Sequence, residues 1–134
     1  MRPVRYYDID AANARISELR PVLEQLRDDR DAVAAAQREL ARFRGSNGSS
    51  DHAAELERQE LRIRGIVARM SEAVAQIEAW GVTLRDIVSG LIDIPALASG
   101  RPIWLCWRLG EADIAWWHEL ETGFGGRQPL AELT

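Results

Sequence analysis

Apolar residues recur at alternating intervals of three and four along two long segments of the chain, and this spacing constrains the fold more than any other feature. One segment runs from Ile9 to Leu40 and the other from Leu56 to Trp80. Such spacing puts the apolar side chains on one face of an α-helix, so it predicts two helices that pack as in a coiled coil. Small, turn-forming residues from Gly45 to Ser50 separate the segments and predict an antiparallel helical hairpin.

The ends of this hairpin, and one irregularity inside it, can be predicted from single residues. Asp8 precedes the first pattern and is expected to cap the helix with its carboxylate. Gly81 follows the second pattern and indicates its end. Pro21 lies inside the first pattern, where it removes one backbone hydrogen bond, so we expect the first helix to be kinked there.

Polar residues interrupt the apolar pattern at Arg30, Gln37 and Gln59. If the chain reverses near Gly48, Gln37 should face Gln59, and Arg30 should lie near Ile66. A layer of two buried amides would fix the register of the hairpin, because a shift would bury each amide against carbon.

The pattern changes after Gly81, where short runs of strand-favouring residues alternate with turns. The runs predict three strands: Gly90–Pro95, Ile103–Leu109 and Ile114–Leu120. We therefore expect one α+β domain over residues 1–134. It consists of a long antiparallel helical hairpin (8–81) followed by a small three-stranded antiparallel β-meander, which is rich in tryptophan and ends in a C-terminal loop (82–134).

Composition excludes several classes of partner. The net charge is −4, so binding to nucleic acid or to an anionic membrane is not expected. No apolar run reaches the roughly 20 residues that span a bilayer. Cys106 is the only cysteine, so we expect neither an intrachain disulfide nor a cysteine-based zinc site within one chain, both of which it excludes. The cytoplasm is the expected location.

The segment His118-Glu119-Leu120-Glu121 is the most suggestive of chemistry. On a strand, His118 and Glu119 point to opposite faces, so they should not converge on one metal ion. The expected register places His118 opposite Leu105 on an apolar face. We therefore interpret His118 first as a core histidine, while a ligand or acid–base role and pH sensing stay open. Asp93 can approach His118 only across the sheet, in a register that the sequence does not fix.

Two further groups of residues have both a structural and a functional interpretation. Arg108, Trp117 and Glu119 share the other strand face and could hold a planar polar ligand, or could pack on the helices. The glycine-rich segment before Arg127 could bind an anion, or could be a turn closed by an Arg127–Glu111 or Arg127–Asp113 pair. Cys106 lies mid-strand with no base expected beside it, which predicts a buried, inert thiol.

Several strings of residues also resemble a known family. They are Tyr7–Asn13, Leu91–Leu97, Leu105–Glu111, Trp117–Leu120 and Gly123–Leu130. Together they are similar to the bacterial family catalogued as domain of unknown function 2203. The resemblance covers nearly the whole chain, and the C-terminal motif is its most specific part. It implies a bacterial, intracellular protein and supplies no mechanism. Asp8 departs from the hydroxyl residue expected at that position but can still cap the helix.

These observations favour a non-enzymatic module for oligomerisation, or for binding a protein partner or small ligand at the tryptophan-rich sheet. Val67 and Val74 form a second apolar stripe, which predicts a homodimer through the helices. The alternative is a hydrolase-type enzyme acting through His118, Glu119 and Glu111, with Arg127 nearby and a metal held between chains. Within one chain we expect neither a cofactor nor a metal ligand, and the ligand-binding candidates are Arg108, Trp117 and Arg127.

Overall fold

Two long helices followed by an antiparallel sheet make up the α+β fold of the computed structural model, which describes residues 4–46 and 50–132. Helix α1 spans Ile9–Arg44 and helix α2 spans Ser50–Ala79. The Asp8 carboxylate accepts a hydrogen bond of 2.7 Å from the Ala11 amide, which confirms the predicted cap. Gly48, the expected midpoint of the turn, lies outside the described residues. In the described part of the chain, no helix is both long and apolar enough to cross a membrane.

One apolar stripe of α1 forms the helical part of the core. It consists of Ala12, Ile16, Leu19, Leu23 and Leu26, all buried. Burying a leucine or isoleucine side chain contributes roughly 1.5–3 kcal/mol, so this stripe fixes α1 against the rest of the domain. Pro21 lies inside α1, on the exposed side of the helix. The kink expected there stays a prediction.

The polar contact between the helices differs from the one expected. Asp29 is buried, and its carboxylate accepts hydrogen bonds of 2.9 and 2.6 Å from Arg69 in α2. Arg30, the expected member of the apolar stripe, is exposed, as is Gln37. The Gln59 amide donates to Glu55 in its own helix, at 3.2 Å. Spacing alone could not show whether Asp29 or Arg30 lies on the buried side of α1. Either residue, placed between Leu26 and Val33, gives one interval of three and one of four.

Within the described residues the sheet has five strands, not three, in the order β1-β2-β3-β4-β5, and neighbouring strands are antiparallel. The strands are β1 (Thr83–Asp86), β2 (Leu91–Ala98), β3 (Arg101–Trp107), β4 (Trp116–His118) and β5 (Gln128–Pro129). β2, β3 and β4 correspond to the predicted meander. The outer strands β1 and β5 were missed because they contain only four and two residues.

The two faces of this sheet have different surroundings. The inner face joins the helices in one core, to which the sheet contributes mainly Ile92, Ile94, Ile103, Leu105, Trp107 and Trp117. The outer face carries Asp93, Cys106 and His118, which are also buried. His118 therefore lies on the side of the sheet opposite to the apolar helix-facing core.

The predicted pairing of His118 with Leu105 was wrong by one residue. His118 pairs with Trp104, and Leu105 pairs with Trp117. Because side chains alternate between faces, a shift of one residue exchanges the two faces. The connection from β3 to β4 is longer than the expected hairpin loop, and its Ile114 amide donates to the Asn13 side chain of α1 at 2.8 Å. This contact with a distant part of the sequence helps to set the register.

Candidate functional site

Three side chains from three neighbouring strands meet on the outer face of the sheet. They are Asp93 of β2, Cys106 of β3 and His118 of β4, and one oxygen, sulfur or nitrogen atom of each lies within 4.8 Å of the other two. The register pairs Asp93 directly with Cys106 and puts His118 on the same face. Each residue is at most 2% exposed, so the cluster is almost completely shielded from bulk water.

Both ring nitrogens of His118 have a partner. Nδ1 lies 2.6 Å from the backbone oxygen of Glu119, and Nε2 lies 2.9 Å from Oδ1 of Asp93. A carbonyl oxygen can only accept, so Nδ1 must carry the proton of that hydrogen bond. Nε2 faces Oδ1 of the Asp93 carboxylate, so a proton or another cation must lie between these two atoms. The two contacts fix the orientation of the ring.

The second carboxylate oxygen of Asp93 is held by Arg85 of β1. Nε of Arg85 donates to Oδ2 at 2.8 Å, and the guanidinium lies over the Trp104 ring, 5.2 Å from its centroid. The arginine brings one positive charge to a buried carboxylate, which otherwise would be costly to keep ionised. It also fixes the direction in which Oδ1 points.

Cys106 is buried as predicted, and its surroundings keep it protonated. Burial raises the pKa of the Cys106 thiol to about 11, although the nearby Arg127 guanidinium opposes this shift. A thiol with so high a pKa is a poor nucleophile at neutral pH. The cluster therefore does not activate Cys106 for nucleophilic attack by itself.

Arg127 closes the C-terminal segment onto the sheet. Its guanidinium donates to both oxygens of Glu111, at 2.8 and 2.7 Å, and to the backbone oxygen of Cys106 at 3.2 Å. It also lies over the rings of Trp116 and Phe124, 5.2 and 4.6 Å from their centroids. Burial opposes ionisation of Glu111, but its hydrogen bonds to Arg127 and to the backbone of Arg108 lower the carboxyl pKa. The turn closed by an Arg127–Glu111 pair, one of the two interpretations of this segment, is present.

The other residues considered for a site do not converge on His118. The Glu119 carboxylate pairs with Arg101 at 2.7 Å, while the Glu111 carboxylate is taken up by Arg127. Arg108 is exposed, with its guanidinium over the Phe124 ring. Trp117 is buried in the core that the sheet shares with the helices. Asp93 and Cys106, which were not among the predicted site residues, are the ones that the fold brings to His118.

A cleft of roughly 330 Å³ leads from the surface to this cluster. Its walls include Arg85, Leu91, Leu120 and Phe124, and it reaches Asp93 and His118. Apolar walls with a few converging polar groups are typical of small-ligand sites. The cleft thus lets a small molecule or an ion reach Asp93 and His118.

A second surface feature lies on the helices, away from the cluster. It is an apolar groove of about 480 Å³ whose lining is mainly Leu26, Val33, Val67, Met70, Val74 and Ile87. Val67 is 44% exposed. The groove contains both valines of the second apolar stripe.

Comparison with known proteins confirms the resemblance noted in the sequence. A family model described as "Uncharacterized conserved protein (DUF2203)" matches residues 5–130. The same comparisons find no similar curated protein and no similar solved structure. Since the match extends over most of the chain, this protein belongs to the DUF2203 family of uncharacterized conserved proteins.

Proposed function

We propose that this protein is a non-enzymatic assembly module that forms a homodimer through helix α2. The observation that carries the proposal is the apolar groove on the hairpin, which includes the exposed Val67 and the partly exposed Val74. An apolar strip on a helical surface, bounded by charged residues, is typical of a protein–protein interface. A two-helix hairpin also leaves such flanks open unless another helix covers them.

The residues along this strip favour a second copy of the chain as its partner. Arg64, Val67, Ser71, Val74 and Glu78 follow one another at intervals of three and four on α2, so they lie on one side of the helix. The strip has a basic residue at one end and an acidic residue at the other, with two valines between them and a small serine at its centre. When two copies of the strip lie antiparallel, the basic end of each therefore lies beside the acidic end of the other.

The charge pattern also selects the orientation of the two copies. With a two-fold axis near Ser71, antiparallel α2 helices place Val67 of each copy against Val74 of the other. Arg64 then lies near Glu78 of the other copy at both ends. In a parallel arrangement Arg64 would face Arg64 and Glu78 would face Glu78, which is unfavourable. We therefore propose the antiparallel dimer.

The proposed module is non-enzymatic because the residues considered for hydrolysis are engaged in separate pairs. Glu119 bonds to Arg101 and Glu111 bonds to Arg127. Neither carboxylate is free to act with His118 as an acid or base. The hydrolase alternative therefore loses Glu119 and Glu111 as the acid or base beside His118.

Light scattering coupled to size-exclusion chromatography tests the dimer at high micromolar protein concentration. We expect twice the mass of one chain for the natural sequence. Arg64→Glu should weaken the dimer, because it places two acidic residues opposite each other, and Arg64→Glu combined with Glu78→Arg should restore it. Leu97→Glu is the control, since Leu97 is an exposed apolar residue of the sheet.

Two results would contradict this proposal. A monomeric mass for the natural sequence would remove the dimer altogether. A dimer that is lost in Leu97→Glu but kept in Arg64→Glu would place the interface on the sheet rather than on α2.

A further inference from the structure

The contact between His118 and Asp93 needs a positive charge between its two atoms. Nδ1 of His118 donates to the Glu119 backbone oxygen, while Nε2 of the same ring faces Oδ1 of Asp93 at 2.9 Å. Two acceptor atoms at this distance repel each other unless a proton or a metal ion lies between them. Because both side chains are buried, water does little to reduce this repulsion.

A third donor atom favours a metal ion over a proton. The sulfur of Cys106 lies within 4.8 Å of both the His118 nitrogen and the Asp93 oxygen. A shared proton would need only two of these atoms, whereas a metal ion needs several donors around one point. We propose that Asp93, Cys106 and His118 bind one divalent transition-metal ion, with zinc best suited to the three donor atoms. This inference is independent of the proposed dimer.

The donor atoms themselves indicate the class of metal. Zinc and related ions bind thiolate sulfur, imidazole nitrogen and carboxylate oxygen together. Magnesium and calcium prefer sites built from oxygen alone. The single cysteine of the chain is no obstacle, because a histidine and an aspartate supply the other ligands. This proposal departs from the expectation that a single cysteine excludes a cysteine-based zinc site within one chain.

The dimensions of the cluster fit such an ion after small side-chain movements. With bonds of about 2.0–2.3 Å in tetrahedral geometry, zinc holds its ligand atoms roughly 3.3–3.8 Å apart. The present separations run from 2.9 Å up to a limit of 4.8 Å. Rotations that move an atom by less than about 1 Å bring all three separations into that range.

The surroundings of the ligands also match those of metal sites. Metal-binding histidines usually donate their second ring nitrogen to a carbonyl or carboxylate, which orients the ring. His118 does so to Glu119, and Asp93 is oriented by Arg85. One carboxylate and one thiolate would together neutralise a dication. A site with three protein ligands keeps one coordination position for water or an added ligand, and the cleft reaches two of the three ligands, Asp93 and His118.

Cobalt substitution tests the proposal in the full, untagged chain. After removal of metal with a chelator, Co²⁺ is added stepwise while the absorption spectrum is recorded. We expect a thiolate-to-cobalt charge-transfer band that saturates at one equivalent and disappears when Zn²⁺ is added. Because Cys106 is the only cysteine in the chain, this band identifies Cys106 as a ligand without any substitution.

Variants then test Cys106 and His118 as ligands. Cys106→Ser should abolish the band, and His118→Gln should weaken zinc binding by about 100-fold, since losing a direct ligand costs at least as much as losing a residue that orients one. His52→Gln is the matched control, because His52 stacks on Phe43 on the helices, and it should change neither property. Circular dichroism checks that each variant is folded.

Several outcomes would overturn the metal site. A natural chain that shows no charge-transfer band at saturating Co²⁺ leaves a proton as the ion between His118 and Asp93. A band that persists at full strength in folded His118→Gln, or one that is lost in folded His52→Gln, would place the metal elsewhere. If Cys106→Ser does not fold, the spectrum of the natural chain still decides whether the thiolate binds.

Discussion

The buried ion pair between the helices gives a quantitative test of what holds the hairpin together. Asp29 of α1 is 2% exposed and receives two hydrogen bonds from Arg69 of α2, as well as one of 2.9 Å from Gln25. Asp29→Asn keeps the shape of the side chain but removes its charge. It also places an amide N–H group beside the guanidinium, where neither can accept a hydrogen bond.

The expected loss follows from the number and kind of these bonds. A hydrogen bond to a charged group contributes roughly 1.5–3 kcal/mol when it is shielded from water. The Arg69 side chain is 57% exposed, so water can replace part of the hydrogen bonding that Arg69 loses in the variant. The contribution of the ion pair to the free energy of unfolding is therefore smaller than for a fully buried pair. We expect Asp29→Asn to lower the free energy of unfolding by about 1–2 kcal/mol at pH 7, and the melting temperature by roughly 4–8 °C.

The effect should depend on pH in one direction. The hydrogen bonds from Arg69, opposed by burial, lower the pKa of the Asp29 carboxyl below its ordinary value of 3.8. A carboxyl whose pKa is lower in the folded than in the unfolded chain stabilises the fold fully above the unfolded value. That stabilisation is lost as the pH falls through the folded value. The difference between the natural chain and Asp29→Asn should therefore be constant from about pH 5 to 8 and shrink below about pH 4.

Urea unfolding followed by circular dichroism at several pH values measures this difference. Asp28→Asn is the control, because Asp28 is the exposed neighbour in the same helix and should change stability little. Equal stability of Asp29→Asn and the natural chain at pH 7 would refute the reasoning, and so would a difference that does not decrease in acid.

Three other substitutions or reactions have definite expected outcomes. Gly90 has a φ of +66°, and an added Cβ would lie 2.4 Å from Cγ of Leu109, so Gly90→Ala should destabilise the fold by about 2 kcal/mol, as measured by urea unfolding. Among the described residues, no atom beyond the adjoining residues and backbone of α2 lies within 4 Å of the corresponding position at Gly65, so Gly65→Ala should stabilise the fold by about 0.5–1 kcal/mol in the same assay. The Cys106 thiol of the metal-free chain should resist iodoacetamide at pH 8 but react fully in denaturant, because burial raises its pKa to about 11. Mass spectrometry measures that reaction.

The helices could be predicted from the sequence because their signal repeats over many turns. Both the hairpin and the cap at Asp8 follow from residues that are close in sequence. The identity of the buried polar residue did not follow, since Asp29 and Arg30 fit the spacing equally well. Choosing between them requires knowing that Arg69 lies opposite, which depends on how the two helices are aligned.

The candidate site could not be predicted because it depends on the register of β3 and β4. The sequence indicated a four-residue loop from Gly110 to Asp113, but the connection between the strands runs from residue 108 to 115. The Trp107 indole donates to the backbone oxygen of Ala112 at 2.7 Å, and the Ile114 amide donates to Asn13 of α1. These contacts hold the longer connection in place. The residue pattern of the two strands and their loop carries no information about a contact with Asn13, which is about 100 residues earlier in the chain.

One residue nevertheless carried information about the register. Asp93 stands in the apolar segment Leu91–Ala98, where a buried carboxylate is costly unless a positively charged or hydrogen-bonding group reaches it. A register with His118 on the helix-facing side leaves Asp93 without that histidine, whereas a shift of one residue brings the two within 2.9 Å. The cost of an unpaired buried charge is several kcal/mol, more than the difference between two loop lengths. A lone carboxylate inside an apolar strand can therefore be used to choose among registers, since the correct one must give it a partner.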